Sequence, residues 1–257
     1  MVIVPSISCS FGVLREAGIR NQHLLTTRKG LACMELKKFE AFTKLAQATV
    51  YSEPEEGNFH TGLIPEMVKN FFLPLKLNLG SYILDIGCGQ GTFMDLTKDL
   101  GYTNTIGVTL SPDDFAACGE KWHSTIQCDM TDLTVPDHIV DFIWCRHAIE
   151  HSPYPLFTLF EFNRVLKKGG KAYIEVPAPD CARRFEFNAN HYSILGENMW
   201  AALFERAGFT VLQSAHFNFE LKANEQIIPE KYICFVIEKH ATLIQSRTET
   251  ADKAVFG

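Results

Sequence analysis

The 257-residue sequence lacks a long hydrophobic run and an excess of positive charge. No apolar stretch approaches the roughly 18 residues that a membrane-spanning helix needs. Pro5 and polar residues interrupt the first segment before the core of a signal peptide forms. Lys and Arg total 24 against 30 Asp and Glu, a formal charge of −6, which gives no general attraction to nucleic acid or to an anionic membrane. We therefore expect a cytoplasmic protein that binds neither.

The sequence also lacks internal repeats, a Pro/Gly/Ser-rich linker and any CxxC pair. Its eight cysteines are scattered and several lie in apolar runs, which favours buried, reduced thiols over a disulfide framework. With 46% hydrophobic and 21% charged residues, the composition is typical of a folded protein. The length suits one large α/β domain with a short extension.

Hydrophobic periodicity predicts helices first and a sheet afterwards. Apolar positions recur at helical spacing over 36–46 and 61–75, the second with Thr61 as its cap and Pro65 in its first turn. After residue 78, short apolar runs alternate with helical stretches, which is typical of βαβ units in a parallel sheet. The predicted strands are 82–86, 105–109, 125–128, 140–145, 171–176, 210–217 and 232–240, the last two antiparallel.

Further helices are predicted over 92–100, 154–166 and 198–207. Lys167 to Gly170 should close the second of these as a helix C-terminus before the next strand. We divide the chain into a helical extension or lid (1–79), a core (80–240) and a C-terminal tail (241–257).

A glycine-rich turn follows the first predicted strand, in the segment ILDIGCGQG that contains Gly87, Gly89 and Gly91. Ligands of open α/β sheets bind at this end of the strands. A dinucleotide fingerprint needs G-x-G-x-x-G, and Thr92 stands where its third glycine should be, so a nucleotide oxidoreductase is the weaker alternative. Asp85, at the end of the strand, favours a ligand with positive charge, such as an ammonium or a sulfonium.

With the segments after it, this turn resembles the class I S-adenosylmethionine (SAM)-dependent methyltransferases. The resemblance spans about residues 80–240 and is carried by ILDIGCGQG, by a second strand ending in GVTLS, by the acid in QCDM and by HAIEHSPYPLFTLFEFNRVLKKGGKAYIEVP. It implies an α/β, Rossmann-like, mostly parallel sheet of seven strands in the order 3-2-1-4-5-7-6. Strand 7 would be antiparallel, with helices on both faces.

The resemblance also implies which residues hold SAM and its product, S-adenosylhomocysteine. The glycine turn would hold the methionine part, the end of strand 2 the ribose, the acid after strand 3 the adenine, and the end of strand 4 would border the methionyl side. The matching residues in that order are Asp85, Gly87, Gly89, Gly91, Thr109, Leu110, Asp129, Met130, Cys145 and Arg146.

One position departs from the family pattern. The family usually has Asp or Glu where this sequence has Thr109, and a hydroxyl makes one hydrogen bond to the ribose where a carboxylate makes two. Asp113 is a second candidate for this contact. A non-catalytic SAM-binding protein therefore stays an alternative.

Methyl transfer is a direct displacement that needs alignment, helped by a general base when the acceptor is a hydroxyl. His147 and His151 lie within one helical turn after strand 4, and His191 lies in the insert after strand 5, so we predict these three as catalytic residues. The alternative is that His151 and Glu150 only pack and cap.

A metal site is the third interpretation of these histidines. Ubiquinone-type and small-RNA 2′-O-methyltransferases resemble this stretch, with an acid in place of His147, and there a Glu-His pair with a downstream His can hold a divalent cation. Here the set would be His147, Glu150, His151 and His191. Because His replaces the acid, a hard metal such as magnesium is disfavoured, and we predict no metal.

Specificity should come from segments that rise on the same edge of the sheet. These are a polar N-terminal segment, the aromatic insert after strand 5 and the connection between strands 6 and 7. The predicted substrate-binding residues are Tyr51, His60, Arg183, Phe185, Tyr192 and Phe217.

The insert suggests an aromatic or anionic small molecule, although a surface loop with packed aromatics would have the same composition. We expect methyl transfer from SAM to an O or N atom of a small-molecule acceptor. An RNA or protein methyltransferase is the enzymatic alternative, and the acidic chain argues against RNA.

Overall fold

The computed structural model describes residues 36–48, 59–223 and 226–243. The chain divides into two compact units, residues 1–48 and 49–257. In the first, helix α1 (Leu36–Ala46) confirms the helix predicted from the apolar spacing. Tyr51 and most of the predicted C-terminal tail lie outside the described residues.

The second unit is built on a seven-stranded sheet in the order β3-β2-β1-β4-β5-β7-β6. Strands β1 to β5 pair in parallel, and β7 runs antiparallel to both β5 and β6, which confirms the predicted fold class. The strands are β1 (Ile83–Ile86), β2 (Thr105–Thr109), β3 (Thr125–Gln127), β4 (Val140–Arg146), β5 (Leu166–Pro177), β6 (Phe209–Ala223) and β7 (Gln226–Lys239).

Helices cover both faces of this sheet because its central strands are apolar on both sides. The bounds of these helices are α2 (Phe59–Met67), α3 (Thr92–Asp99), α4 (Pro112–Glu120), α5 (Pro155–Val165) and α6 (Glu197–Arg206). Successive side chains of a strand point to opposite faces. Ile143 of β4 therefore packs with α5 and α6 in one core cluster, while Phe142 and Trp144 pack with α2 and α3 in the other.

Helix α2 continues as a π-helical turn (Val68–Phe72) and a short 3-10 turn (Leu73–Leu75). It begins two residues before Thr61, so Thr61 is not its cap, and Pro65 lies inside it. Its buried side chains share one core cluster with the sheet. Residues 59–79 of the predicted extension therefore pack as part of the second unit.

Three strands near the end of the sheet are longer than predicted. Lys167 to Gly170 belong to β5, which begins directly after α5, with a register irregularity against β4. The β6–β7 hairpin extends six residues further on each side than the apolar runs indicated, because paired strands also accommodate polar residues. Phe217 consequently lies within β6 and not in the connection between the strands.

No helix in the described ranges is both long and apolar enough to cross a membrane. The six described cysteines are free thiols, which agrees with the expectation of reduced cysteines for that part of the chain. One close pair occurs, where Cys88 Sγ lies 3.9 Å from Cys118 Sγ next to the glycine-rich turn. These residues pack beneath the candidate site and form a small apolar cluster with Met94.

Candidate cofactor and acceptor site

The glycine-rich turn lies at the carboxyl end of β1, between the ends of β2 and β4. Its backbone is left-handed at Gly87 (φ +71°) and Gly91 (φ +86°), a conformation that glycine adopts without the penalty of a Cβ. A Cβ on Gly87 would also lie 2.6 Å from the Cβ of Ala148. The N–H of Gly87 donates to the carbonyl of Val108 (2.8 Å), which ties the turn to β2.

The predicted cofactor residues lie along the carboxyl edge of β1 to β4. Asp85 is buried there, with 3% of its surface exposed. The hydroxyl oxygen of Thr109 accepts from the N–H of Ser111 (3.1 Å) at the start of α4, and Asp129 accepts from the N–H and hydroxyl of Thr131 (2.9 and 2.8 Å). The other predicted residues at this edge are Gly89, Leu110, Met130, Cys145 and Arg146.

A buried ion cluster joins the ends of β4 and β5. Glu175 Oε1 lies 2.8 Å from Arg146 Nε and 3.0 Å from His147 Nε2, and the hydroxyl of Tyr173 donates to the other oxygen of Glu175. The other ring nitrogen of His147, Nδ1, lies 3.3 Å from Glu150 Oε1. His147 holds this position with a left-handed backbone (φ +50°), which is uncommon outside glycine. Two cations and two carboxylates thus face one another and balance in charge.

Protonation within the cluster follows from these contacts. Burial opposes a charge on His147, but hydrogen bonds to Glu150 and Glu175 outweigh it and raise the pKa of His147. Burial also opposes ionisation of Glu175, but Arg146 and then His147 lower the pKa of Glu175 to about 2. His147 is therefore an imidazolium with both ring nitrogens against carboxylates. A general base needs a ring nitrogen with a lone pair, and His147 offers none in this arrangement.

His60, from α2, packs over this cluster. Its Nδ1 lies 3.0 Å from the hydroxyl of Tyr232, and its Nε2 lies 3.3 Å from Arg183 Nη1. Because a guanidinium only donates, Nε2 of His60 carries the lone pair and Nδ1 the proton. Burial, followed by the positive charges of His147 and Arg146, lowers the pKa of His60 to about 3. His60 is thus a neutral ring between the ion cluster and the insert that follows β5.

His151 and His191 have a different hydrogen-bonding pattern from His147. Each Nδ1 lies 2.9 Å from a main-chain carbonyl oxygen, that of Asn190 for His151 and that of Phe185 for His191. A carbonyl only accepts, so Nδ1 carries the proton and a neutral ring has its lone pair on Nε2. Burial lowers the pKa of His191, which keeps that ring neutral at neutral pH. The rings of His151 and His191 contact each other, with centroids 4.8 Å apart.

Three of the four groups considered for a divalent cation come together in the structure. Glu150, His151 and His191 each offer one ligand atom, and these atoms lie within 4.8 Å of one another. His147 is not a member of this set, because its ring nitrogens face the two carboxylates. The absence of a metal stays a prediction.

Aromatic rings enclose the acceptor side of the site. The ring of Tyr232 lies 4.2 Å from His147, 6.1 Å from Phe185 and 4.7 Å from Phe219 between centroids. Phe217 packs against Phe219 at 5.5 Å. Four predicted substrate-binding residues therefore meet here, and these are His60, Arg183, Phe185 and Phe217. Tyr192 is 54% exposed, at the rim of the same insert.

The sequence analysis missed Glu175 and Tyr232, the two residues that connect this site. Glu175 is a fully buried acid in the apolar segment YIEV of β5. A lone acid at the carboxyl end of a buried strand is a detectable signal, because a buried charge requires partners. Tyr232 carried no such signal, since its contact with His60 joins residues 172 positions apart.

Comparison with known proteins identifies the family. A family model described as a methyltransferase domain matches residues 63–214, more than half of the chain. The chain belongs to the SAM-dependent methyltransferases. The turn after β1 and the order of the seven strands are those that the resemblance implied.

Individual relatives agree with this assignment. An uncharacterized protein of Methanocaldococcus jannaschii is 29% identical over 70% of this chain and 77% of its own length. The 2-methyl-6-phytyl-1,4-hydroquinone methyltransferase of Synechocystis sp. is 33% identical over 35% of this chain, but the match spans only 30% of that enzyme. A crystal structure of a SAM-dependent methyltransferase from Archaeoglobus fulgidus superimposes with a TM-score of 0.57 at 18% identity and covers 78% of this chain and 99% of that one. This structural likeness shows the fold.

The residues at the edge of this methyltransferase fit SAM. A cationic sulfonium with an attached ammonium would be complemented by the buried acid Asp85, the last residue but one of β1. The turn offers backbone without side chains at Gly87, Gly89 and Gly91, so a ligand can approach it closely. Thr109 provides a hydroxyl at the end of β2, the position that the resemblance gives to the ribose contact.

Proposed function

We propose that this methyltransferase transfers the methyl group of SAM to a hydroxyl or amine of a small-molecule acceptor, with His191 as the general base. SAM, when bound, supplies an electrophilic methyl group on its sulfonium sulfur. The protein then has to align the acceptor, exclude water and take up the acceptor's proton. The proposal rests on one observation: the side-chain rings of His60, His147, Tyr232 and Phe185 pack together beside His191.

A small acceptor is supported by the chemistry of this cluster. Its rings pack against one another, with centroids 4 to 6 Å apart, and form an aromatic wall that suits a flat or short apolar molecule. Arg146, His147, Glu150 and Glu175 balance one another and so offer no net charge to a nucleic-acid backbone. The name of the Synechocystis relative, a hydroquinone methyltransferase, is also that of an enzyme with a small-molecule acceptor.

His191 is the base that the geometry favours. Its Nδ1–H is held by the carbonyl of Phe185, so its Nε2 carries the lone pair, which accepts from the side-chain amide of Asn188 at 3.2 Å. An acceptor hydroxyl that replaces this amide can give its proton to Nε2. His151 has the same tautomer and packs beside it, which makes it the second candidate. His147 fixes the end of β4 and the charge balance of the site.

The test compares His191→Gln with His216→Gln in a transfer assay with methyl-labelled SAM. His216 is a matched control because it is half-exposed on β6 and pairs with Glu197. The acceptor fractions are the RNA, the protein and the low-molecular-mass components of a cell extract. We expect label in the low-molecular-mass fraction, reduced about 100-fold or more in kcat by His191→Gln and unchanged by His216→Gln. SAM affinity should be the same in all three proteins.

Two outcomes would contradict the proposal. Label that enters only RNA or only protein would replace the small-molecule acceptor with the alternative class. Full turnover of His191→Gln would remove the base role, and the same change in His151 would then decide whether the neighbouring ring performs it.

A further inference from the structure

An open groove lies next to the acceptor site, between the segment that follows β5 and the β6–β7 hairpin. Its volume is about 760 Å³, within the range of small-molecule sites. Its lining includes three carboxylates, one lysine and one aromatic ring. These residues are Asp180, Glu220, Glu230, Lys231 and Phe219.

Glu230 is the unusual residue of this groove. It is only 3% exposed, and its Oε1 accepts from the backbone N–H of Arg183 at 3.1 Å. Its Oε2 is buried and has no hydrogen-bond partner among the residues that the structure describes. The guanidinium of Arg183 is directed elsewhere, toward His60 and over the ring of Phe185 at 5.2 Å. A buried carboxylate oxygen without a donor is costly, which indicates that a ligand supplies one.

The groove adjoins the acceptor site through packed side chains. Glu230 faces Phe219 across the β6–β7 register, and the ring of Phe219 packs against Tyr232 at 4.7 Å. Tyr232 stands two residues after Glu230 on the same face of β7, about 7 Å further along the strand, and its hydroxyl contacts His60. Phe219 therefore joins the wall of the groove to the residues of the acceptor site.

We propose that the groove binds an organic ammonium group of the acceptor. This inference rests on the function proposed above. An ammonium donates to Glu230 Oε2 and lies against the ring of Phe219, which supplies a cation–π contact. A calcium ion would need six to eight oxygen ligands, and the structure shows one buried carboxylate in a groove much larger than an ion.

Calorimetry with a matched ligand pair tests this inference. Tyramine carries an ammonium that a ring and two carbons separate from its hydroxyl, and 4-ethylphenol lacks the charged group. Both are titrated into the protein saturated with S-adenosylhomocysteine. We expect tyramine to bind at least about 10-fold more tightly than 4-ethylphenol, the factor that a charge-assisted hydrogen bond gives.

Two variants assign the preference to Glu230. Glu230→Gln keeps the shape of the side chain but removes its charge, so this variant should bind tyramine and 4-ethylphenol with about equal affinity. Glu238→Gln, on the same strand, removes a half-exposed carboxylate that pairs with Lys171 and should keep the full preference. Thermal unfolding of each variant confirms that it is folded, and the comparison of the two ligands on the wild type does not depend on any variant.

Equal affinities for the two ligands, or no binding of tyramine at millimolar concentration, would overturn the inference. Calcium binding that depends on Glu230 without a preference for tyramine would overturn it as well. The proposed function fails separately, if SAM does not bind or if label enters only macromolecules. Small-molecule methylation without an ammonium preference would leave that function standing and remove only the groove's role.

Discussion

Replacing Glu175 by Gln should destabilise the protein far more than a single conservative change usually does. Glu175 is fully buried and faces Arg146, His147 and Tyr173. Its pKa is about 2 against an ordinary value of 4.5, and that shift corresponds to about 3.4 kcal/mol of stability at about 1.36 kcal/mol per pH unit. Removing one partner of a buried ion pair typically costs about 3–5 kcal/mol. The pKa shift and the usual cost of breaking a buried ion pair give similar values. We therefore expect Glu175→Gln to lower the free energy of unfolding by about 3–4 kcal/mol at neutral pH.

The pH dependence gives the same prediction a second test. Because the folded-state pKa of Glu175 is depressed, its contribution is fully present well above pH 4.5 and is lost as the pH falls toward 2. By this linkage, the difference in the free energy of unfolding between the wild type and Glu175→Gln should fall to about 1.5 kcal/mol near pH 3.

Urea unfolding at neutral and acidic pH measures both quantities. Glu238→Gln is the control, because an exposed ion pair is worth about 0–1 kcal/mol. A loss at neutral pH below about 1 kcal/mol, or one equal to that of the control, would refute the buried ion cluster as a stabilising element.

Three further predictions concern the turn, the base and the metal. Gly87→Ala places a Cβ on a left-handed backbone, 2.6 Å from the Cβ of Ala148, and should lower the free energy of unfolding in urea by about 2–4 kcal/mol. Gly119→Ala, with open space around it, should leave that free energy unchanged or raise it. Equal effects of the two changes would contradict the argument. The kcat of the wild type should stay constant through neutral pH and fall only below pH 6.5, because burial lowers the pKa of His191, and a fall that begins above pH 7 would point to another base. Dialysis against a chelator should leave activity unchanged, and activity that is lost and then restored by one divalent metal would assign Glu150, His151 and His191 as its ligands.

The fold was predictable because its determinants are local or carried by motifs. The apolar strand before Gly87, the acid after β3 and the segment after β4 were enough to establish the resemblance, and with it the sheet order. The ends of β5, β6 and β7 were not predictable from apolar runs. Polar residues interrupt the apolar ones in the outer half of the hairpin, and its strand geometry depends on cross-strand pairing between distant residues.

The sequence was enough to predict most residues of the candidate site but not the protonation and role of each. His60, His147, Arg183 and Phe185 were singled out by residue type and position at the sheet edge, and the structure brings them together. Their protonation depends on partners far along the chain, because Glu175 makes His147 an imidazolium. No local pattern reveals such pairing. The same holds for Glu230, whose burial appears only when the insert packs against β7.

Calorimetry with SAM on the wild type and on Asp85→Asn tests whether this edge of the sheet is the cofactor site. The charged part of SAM should lie against the buried Asp85 near the end of β1. We expect measurable binding to the wild type and a loss of affinity of about 10-fold or more in Asp85→Asn. Asp141→Asn, which removes a surface ion pair with Lys167, should bind as the wild type does. Undiminished binding by Asp85→Asn, or no binding by the wild type, would contradict the assignment of this edge as the SAM site.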